Sequence, residues 1–382
     1  MAAVGPAVRV HAASDPFLQS TMQQIVDGGF PGAWVVDSAV GTGAAGVADI
    51  ALNTPTQANM KLRAGSITKS FTGGVVLQLV ADNRLGLNDT VQHWLPGLLP
   101  YGNQVTVRQL LQHTSGVPDY LESGDTPLLT QFIRKSVPGN PEYDPTFKFR
   151  TWTPQQLVGL ISGEPRHVLP PNEAEYSDSN YIILGMIIKQ VTGNTPQTEV
   201  ANRFITPLHL NNTSFPVVNP FLNAPFARGY TYNVDTDGSP IVGTRYDITT
   251  YNPSFLGATG ALVSNPADLN KYMSKLLGGQ LLPGWLTAEM KQTVPITLPE
   301  GLFPAGFGAG LGIWSWDLSQ VADVGCNKTI YGHEGEVPGY DTWAFGNATG
   351  TRTISMGVNL MVPDWDAYYA AELPGYASLW CH

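Results

Sequence analysis

The sequence predicts a mixed α/β (α+β) fold: an antiparallel sheet, flanked by helices and built from both ends of the chain, with an inserted, mainly helical domain. Strand-like apolar segments occur near the N-terminus, at 33–40, and near the C-terminus, at 341–347 and 351–360. Between these ends, segments with helical apolar spacing alternate with proline-rich loops. Because the apolar face of a sheet must be covered, one sheet with helices on its faces is the simplest arrangement.

The first elements follow from local signals. Ser14-Asp15-Pro16 predicts a helix start, because serine and aspartate cap helices and proline fits the first turn, and Gly28-Gly29 predicts its end. A strand is predicted at 33–40, a turn at 41–46, and a returning strand from Val47. Residues 41–46 also match G-x-G-x-x-G. However, no helix follows and no acid lies about 20 residues on, so a turn is favoured over a dinucleotide site.

The later elements follow from apolar periodicity. An apolar stripe predicts a helix from Ser66. Further helices are predicted at 107–113, 181–191, 268–277 and, closing the chain, 365–380. Strands are predicted at 330–331, 341–347 and 351–360, with a tight turn at 348–350. We expect residues 1–84 and 255–382 to form the sheet domain, and residues 85–254 to form the helical domain.

The charge of the chain limits its partners. Twenty Lys and Arg residues against 30 Asp and Glu residues give a net charge of −10, which disfavours nucleic acids and anionic membranes. No apolar run reaches the ~18 residues needed to span a bilayer. The histidines are scattered, and neither H-E-x-x-H nor C-x-x-C occurs, so neither a metal nor another cofactor is expected.

The N-terminus and the cysteines bear on export. Residues 1–14 lack the basic and apolar regions of a signal peptide, so the protein is either intracellular or has lost its signal sequence. Cys326 and Cys381 are the only cysteines. They form either a disulfide, which suits an exported protein of low charge, or two buried thiols.

The first candidate for chemistry is Ser66-Ile67-Thr68-Lys69. A serine at a helix start lies near free N–H groups, and a lysine three residues on lies on the same helix face. A desolvated lysine beside a serine can activate the hydroxyl as a nucleophile. The pattern alone is weak, because a capping serine followed by a surface lysine is common.

Two further polar clusters are candidates. Tyr176-Ser177-Asp178 precedes an apolar helix, and a phenol near a lysine can act as a general base; simple helix capping is the alternative. His333-Glu334-Gly335-Glu336 lies in a strand-like stretch, where Gly335 would allow close approach of a ligand. An ordinary strand histidine is the alternative there.

These three motifs, in this order, resemble those of the serine β-lactamase and penicillin-binding-protein family. The likeness is to its branch of class C β-lactamases and D-alanyl-D-alanine carboxypeptidases, in particular the secreted actinomycete carboxypeptidases. That family has S-x-x-K, then Y-x-N, then H-x-G or K-T-G. Further landmarks are Leu111 to Gly116 and Gly257 to Ala261, and the resemblance runs from about Pro16 to Cys381.

The resemblance implies a β-lactamase/transpeptidase-like fold and roles for individual residues. Ser66 would form the acyl-enzyme, Lys69 and Tyr176 would shuttle its proton, and His333 would hydrogen-bond the tyrosine network. The N–H groups of Ser66 and Glu336 would form the oxyanion hole. The resemblance also implies a pocket lined by Phe255, a disulfide between Cys326 and Cys381, and a secreted or extracytoplasmic protein.

The chain departs from this pattern at three places. Asp178 replaces the usual asparagine, and Glu334 replaces the usual threonine. The basic residues that hold a substrate's terminal carboxylate are missing from the segment 314–317. A pocket with these acids should repel a carboxylate, unless Asp178 is protonated or residues 334 and 336 face away.

Three hypotheses of function follow. The first is a hydrolase or transacylase of D-amino-acid peptides or amides, and the second is an esterase, amidase or β-lactamase of the same fold. The third is a penicilloyl-binding sensor without turnover. We expect a monomer without a membrane span that takes a small peptide, amide, ester or β-lactam as substrate.

Overall fold

A computed structural model describes residues 14–124, 127–234, 240–297, 305–321, 326–361 and 365–382. The prediction about a signal sequence falls on residues 1–13, outside the described residues. Among the described helices, none combines the length and the apolarity required to cross a membrane.

The core of the fold is a ten-stranded sheet. The strands of the chain are β1 (Gly32–Asp37), β2 (Gly41–Asp49), β3 (Thr54–Pro55), β4 (Leu62–Arg63), β5 (Ala174–Glu175), β6 (Tyr230–Val234), β7 (Pro240–Asp247), β8 (Val263–Ser264), β9 (Val294–Thr297), β10 (Phe307–Ala309), β11 (Trp314–Asp317), β12 (Thr329–Val337), β13 (Tyr340–Asn347), β14 (Thr353–Val358) and β15 (Leu360–Met361). The large sheet has the order β3-β2-β1-β14-β13-β12-β11-β10-β9-β5. Its pairs are antiparallel except β5 with β9, so strands from both chain ends form one sheet.

Helices cover both faces of this sheet. The helices are α1 (Pro16–Asp27), α2 (Ile67–Ala81), α3 (Val91–Trp94), α4 (Val107–Leu111), α5 (Leu128–Ser136), α6 (Pro154–Gly159), α7 (Asp178–Thr192), α8 (Pro196–Val200), α9 (Gly257–Gly260), α10 (Pro266–Leu277), α11 (Gly284–Met290) and α12 (Trp365–Cys381). Helices α1 and α12 pack together against one face, while α2 and α10 pack against the other. Two apolar clusters result, one on each side of the sheet. The predicted α+β architecture with a flanked sheet is confirmed.

The N-terminal hairpin corrects one prediction. Residues 41–46 lie within β2 rather than in a turn, and the turn lies at 38–40, where the Asp37 carboxylate accepts a 2.8 Å hydrogen bond from Ala39 N. Helix α1 packs closely against β2. A Cβ on Gly43 would lie only 2.6 Å from the carbonyl carbon of Leu18, so only glycine fits at this position. The glycines therefore allow the helix to pack close to the sheet, which is a common reason for glycine within a strand.

The region between the two sheet segments contains the predicted helices at α4 and α7. It also contains the antiparallel pair β6–β7, which the sequence did not predict. Strand β6 pairs on its other side with β15, in parallel. Strand β7 contains Gly243 and Arg245 within a short polar run, so it lacks the apolar alternation on which the prediction depended. The two predicted domain boundaries, between residues 84 and 85 and between residues 254 and 255, stay predictions.

A disulfide joins Cys326, just before β12, to Cys381 at the end of α12, with a Cα–Cα distance of 5.6 Å. The prediction of a bridge, as against two free thiols, agrees with this geometry. The bridge closes a span of 55 residues and so restricts the unfolded chain.

Replacing both cysteines by serine is expected to lower the free energy of unfolding by about 4 kcal/mol, the chain-entropy value for such a span. Urea unfolding of the double variant and of the wild type measures the difference. Wild-type protein treated with a reductant should unfold at the same midpoint as the double variant. Equal midpoints for the variant and the oxidised wild type would contradict the stabilising role.

Candidate active site

Ser66 lies at the N-terminal end of α2, three residues after the end of the short strand β4. Its side chain makes no capping hydrogen bond to the helix, although it occupies the capping position. Lys69 is fully buried, with 0% of its surface exposed. These two facts remove the simple alternative for this motif, since the serine does not cap and the lysine is not on the surface.

A hydrogen-bonded chain connects the serine, the lysine and the tyrosine. Lys69 Nζ donates to Ser66 Oγ over 2.8 Å, and Ser66 Oγ lies 2.7 Å from Tyr176 Oη. The ammonium also lies 4.8 Å from the centroid of the tyrosine ring. The serine hydroxyl is therefore flanked by two groups that can take or return its proton.

Helix α7 brings a carboxylate to the same lysine. Asp178, the first residue of α7, accepts a 2.6 Å hydrogen bond from Lys69 Nζ and another from Thr259 Oγ1. Its own N–H donates to Asp119 Oδ2 over 3.1 Å. The carboxylate at 178 is thus an acceptor on the lysine, where an asparagine would present an amide.

Strand β12 runs beside the serine, and two glycines make this approach possible. A Cβ added to Gly335 would lie 2.1 Å from Ala64 O and 2.8 Å from Ser66 N. Gly65 has φ +51°, and a Cβ there would lie 2.8 Å from Glu336 N. The backbone at Gly65–Ser66 therefore packs directly against the backbone at Gly335–Glu336. The oxyanion hole formed by the N–H groups of Ser66 and Glu336 stays a prediction.

His333 is buried in the strand beside the site. Burial, followed by the positive charge of Lys69, lowers the pKa of His333 well below its usual value, so the ring is neutral. Its ring lies 4.9 Å from that of Trp314, and its Nδ1 contacts the carbonyl oxygen of Glu334. The predicted bond of His333 to the tyrosine network stays a prediction.

Glu334 and Phe255 occupy different surroundings. Burial raises the pKa of Glu334 to about 7, against the opposing effect of Lys69. Its carboxylate accepts a 3.4 Å hydrogen bond from Trp314 Nε1, so it is directed towards the site wall. Phe255 is 2% exposed and stacks on Phe132 at 4.6 Å. Its role in lining a pocket stays a prediction.

The structure adds residues that the sequence did not indicate as site residues. His113 stacks on Tyr176 at 4.7 Å, and its Nδ1 accepts a hydrogen bond from Ser177 N. Asp119 and Glu122 lie in the loop between α4 and α5. Burial, with the neighbouring Asp178 charge, raises the pKa of Asp119 well above its usual value and that of Glu122 to about 7.

Together these groups give the cleft an acidic character. Glu122 is exposed to solvent, and desolvation together with the Asp178 charge raises its pKa. Lys69 is the cation beside these acids, and it is fully buried. Beside the buried Lys69, the solvent-exposed Glu122 is a carboxyl group that is partly ionised at neutral pH, because its pKa is raised to about 7. Across the described ranges, no group of three or more potential metal ligands occurs.

The family model described as Beta-lactamase matches residues 18–376 of the chain. Among solved structures, the chain is similar to a D-stereospecific amidohydrolase from Streptomyces sp., with 31% identity, a TM-score of 0.78, and coverage of 94% of this chain and 98% of the other. It is also similar to D-amino acid amidase from Ochrobactrum anthropi SV3, with 25% identity, a TM-score of 0.77, and coverage of 95% and 96%.

Two curated relatives are similar over shorter stretches. Penicillin-binding protein 4* of Bacillus subtilis is 26% identical over 308 residues, which is 78% of this chain and 60% of that protein. Protein flp of Staphylococcus aureus is 32% identical over 178 residues, which is 46% of this chain and 32% of that protein. The matches therefore span less than two thirds of the length of these curated relatives.

Proposed function

Since the chain belongs to the Beta-lactamase family, whose model matches residues 18–376, we propose that it is a serine hydrolase that cleaves amides or short peptides of D-amino acids through an acyl-enzyme at Ser66. The observation that carries this proposal is the chain Lys69 Nζ–Ser66 Oγ–Tyr176 Oη, with distances of 2.8 and 2.7 Å. The likeness to a D-stereospecific amidohydrolase and a D-amino acid amidase supports the choice of substrate class.

In the proposed reaction, Ser66 Oγ attacks the amide carbonyl while Lys69 and Tyr176 take and return its proton. The carbonyl oxygen becomes negative in the tetrahedral intermediate. The adjacent N–H groups of Ser66 and Glu336 would stabilise it, an interaction worth about 10²–10³ in rate per donor. Loss of the amine leaves an ester on Ser66, which water then hydrolyses.

The acidic cleft favours substrates without a terminal carboxylate. Asp119, Glu122 and Glu334 lie around Asp178, and their raised pKa values show that this site already disfavours negative charge. A substrate carboxylate would add one more negative charge to the same place. In β11 (Trp314–Asp317) the sequence offers no basic side chain that could hold a carboxylate. An uncharged carboxamide end, together with a free amino group, fits these surroundings better than the C-terminal carboxylate of a carboxypeptidase substrate.

A substrate panel tests this proposal. We expect D-amino acid amides with a free amino group to be hydrolysed at least about tenfold faster than N-acylated peptides that end in a carboxylate, because a like-charge contact costs more than about 1.4 kcal/mol. Product release, together with the intact mass of the acyl-enzyme, measures both activity and the acyl group, with Ser66→Ala as the blank. Equal rates for the two classes, or faster cleavage of the carboxylate-ended peptides, would overturn the amide preference.

The same panel separates the alternatives. Fast hydrolysis of short-chain esters with amides untouched would indicate an esterase, and fast turnover of penicillin would indicate a β-lactamase. An acyl-enzyme that never turns over would indicate a sensor. We also propose that the protein is extracytoplasmic, which the Cys326–Cys381 disulfide supports because such bonds persist in oxidising compartments. The expected monomeric state stays a prediction.

A further inference from the structure

We infer that Asp178 is a positioning residue that acts through Lys69, receiving a lysine proton when Ser66 attacks and so allowing the charged lysine to serve as the proton carrier. This inference rests on the proposed acyl-enzyme at Ser66. It concerns a position where the family pattern has an asparagine, which has no carboxylate to accept a proton.

The hydrogen bonds of Lys69 are those of a charged ammonium. Its Nζ donates to three acceptors: Ser66 Oγ at 2.8 Å, Asp178 Oδ1 at 2.6 Å and the carbonyl oxygen of Thr259 at 3.2 Å. An ammonium has three N–H donors and no acceptor site. A lysine that uses all three as donors has no lone pair for the serine proton, so a proton must leave the nitrogen before or during the attack.

Asp178 Oδ1 is the acceptor best placed to receive that proton. Of the three acceptors of Lys69, it is the one carboxylate oxygen, and it makes the shortest of the three contacts. Thr259 Oγ1 donates to the same oxygen from α9, which fixes its position. The other two acceptors are the attacking oxygen itself and a backbone carbonyl, and a carbonyl is a far weaker base than a carboxylate.

The surroundings of Asp178 are mostly acidic. The titratable groups that face it are Lys69 from α2, Asp119, Tyr120 and Glu122 from the loop between α4 and α5, Tyr176 before α7, and Glu334 from β12. Lys69 is the single cation of this set. Lys69 is therefore the one group of this set with an ammonium proton that Asp178 can accept.

The proposed step balances without any further reactant. The Oγ–H bond of Ser66 breaks and its proton forms an N–H bond on Lys69, while one N–H proton of Lys69 passes to Asp178 Oδ1. The electron pair of the Oγ–H bond becomes the new Oγ–C bond, the lysine keeps three protons, and Asp178 becomes a neutral acid. When the C–N bond breaks, its electron pair stays on the leaving nitrogen, and the relay returns the proton to that nitrogen.

The test is the pH dependence of acylation in the variant Asp178→Asn. In the wild type, protonation of a carboxylate ends activity at low pH, whereas in the variant a neutral lysine must act as the base. We call the fall of the acylation rate at low pH the acid limb of the pH profile. Amines in proteins ionise about six pH units above carboxylic acids, so the midpoint of this limb should lie at least about one pH unit higher in the variant. We expect the loss of acylation rate at about pH 6 to exceed the loss at about pH 9 by at least about tenfold.

Acylation is followed by the intact mass of the full chain after mixing with a nitrophenyl ester, and no D-amino acid substrate is needed. If the wild type forms no adduct at Ser66 with any acyl donor, the proposed function fails. If the wild type is acylated but the variant loses the same factor at every pH, the inference about Asp178 fails.

Two further variants distinguish a specific effect on the pH profile from a lower acylation rate that is caused only by impaired folding. Thr259→Val removes the hydroxyl donor to Asp178, so the charged carboxylate is less stable, and the acid limb should move up by a few tenths of a unit. Asp268→Asn is the matched control, because Asp268 is a buried, hydrogen-bonded aspartate at the start of α10. It should change stability without moving the limb. A limb that moves in Asp268→Asn, or that stays fixed in Thr259→Val, would contradict the inference.

Discussion

Replacing Lys69 by alanine is expected to lower the rate of Ser66 acylation by about 10³-fold, the usual contribution of a positioned acid–base group. The lysine nitrogen lies 2.8 Å from the attacking oxygen, so its removal takes away the nearest proton carrier. Tyr176 would remain 2.7 Å from that oxygen, but burial and the nearby carboxylates raise its pKa well above the usual value, so the phenol is neutral and can take the serine proton only by giving up its own. Stopped-flow acylation by a nitrophenyl ester measures the effect.

The same change should also destabilise the fold, and a second variant separates the two effects. Lys69→Ala leaves the Asp178 carboxylate buried without its cation, and breaking such a buried pair typically costs about 3–5 kcal/mol. The double variant Lys69→Met with Asp178→Asn removes both charges, so most of the stability should return while acylation stays slow. If the acylation rate of Lys69→Ala stays within about tenfold of the wild-type rate, the lysine is not the proton carrier.

The part of the site that the sequence predicts is the part that depends on local geometry or on ordered motifs. Ser66 and Lys69 are three residues apart on one helix, so their contact follows from helix geometry alone. Tyr176 lies far from them in the chain. It could be predicted as part of the same site only because the three motifs occur in the order found in the serine β-lactamase and penicillin-binding-protein family. The structure places its hydroxyl on Ser66.

The remaining site residues could not be found in this way. Asp119 reaches the site because a loop folds over the start of α7, and Thr259 because α9 packs against α2. Neither contact has a sequence spacing that predicts it. The substitution at Asp178 was visible, but its partner was not, since only the tertiary structure brings its carboxylate to Lys69.

The turn predicted at 41–46 failed for a related reason. Glycine permits tight turns, but it also permits close approach of another backbone, and a single sequence does not distinguish these uses. In β2 the glycines allow α1 to approach, and at Gly335 they allow β12 to approach the nucleophile. At Gly335 the sequence predicted close approach of a ligand. The structure brings the backbone of Ala64 and Ser66 to this glycine, and the approach of a ligand stays a prediction.

Gly335→Ala is expected to lower acylation by about 10²–10³-fold, the effect of losing one oxyanion donor. The added methyl would lie 2.1 Å from Ala64 O and 2.8 Å from Ser66 N, and both are backbone atoms that cannot rotate away. Strand β12 must therefore move away from the start of α2. This movement would take the N–H of Glu336 away from the oxygen that it is proposed to bind together with the N–H of Ser66.

A matched glycine variant isolates this steric effect. Gly284→Ala, at the exposed start of α11, places its methyl in open space and should leave acylation unchanged. For Gly335→Ala, the effect should fall on the rate constant for acylation more than on substrate binding, because the lost donor acts on charge that develops only in the transition state. If Gly335→Ala instead acylates as fast as Gly284→Ala, the close contact between β12 and the nucleophile is not needed for catalysis, and the oxyanion hole must be formed by other donors.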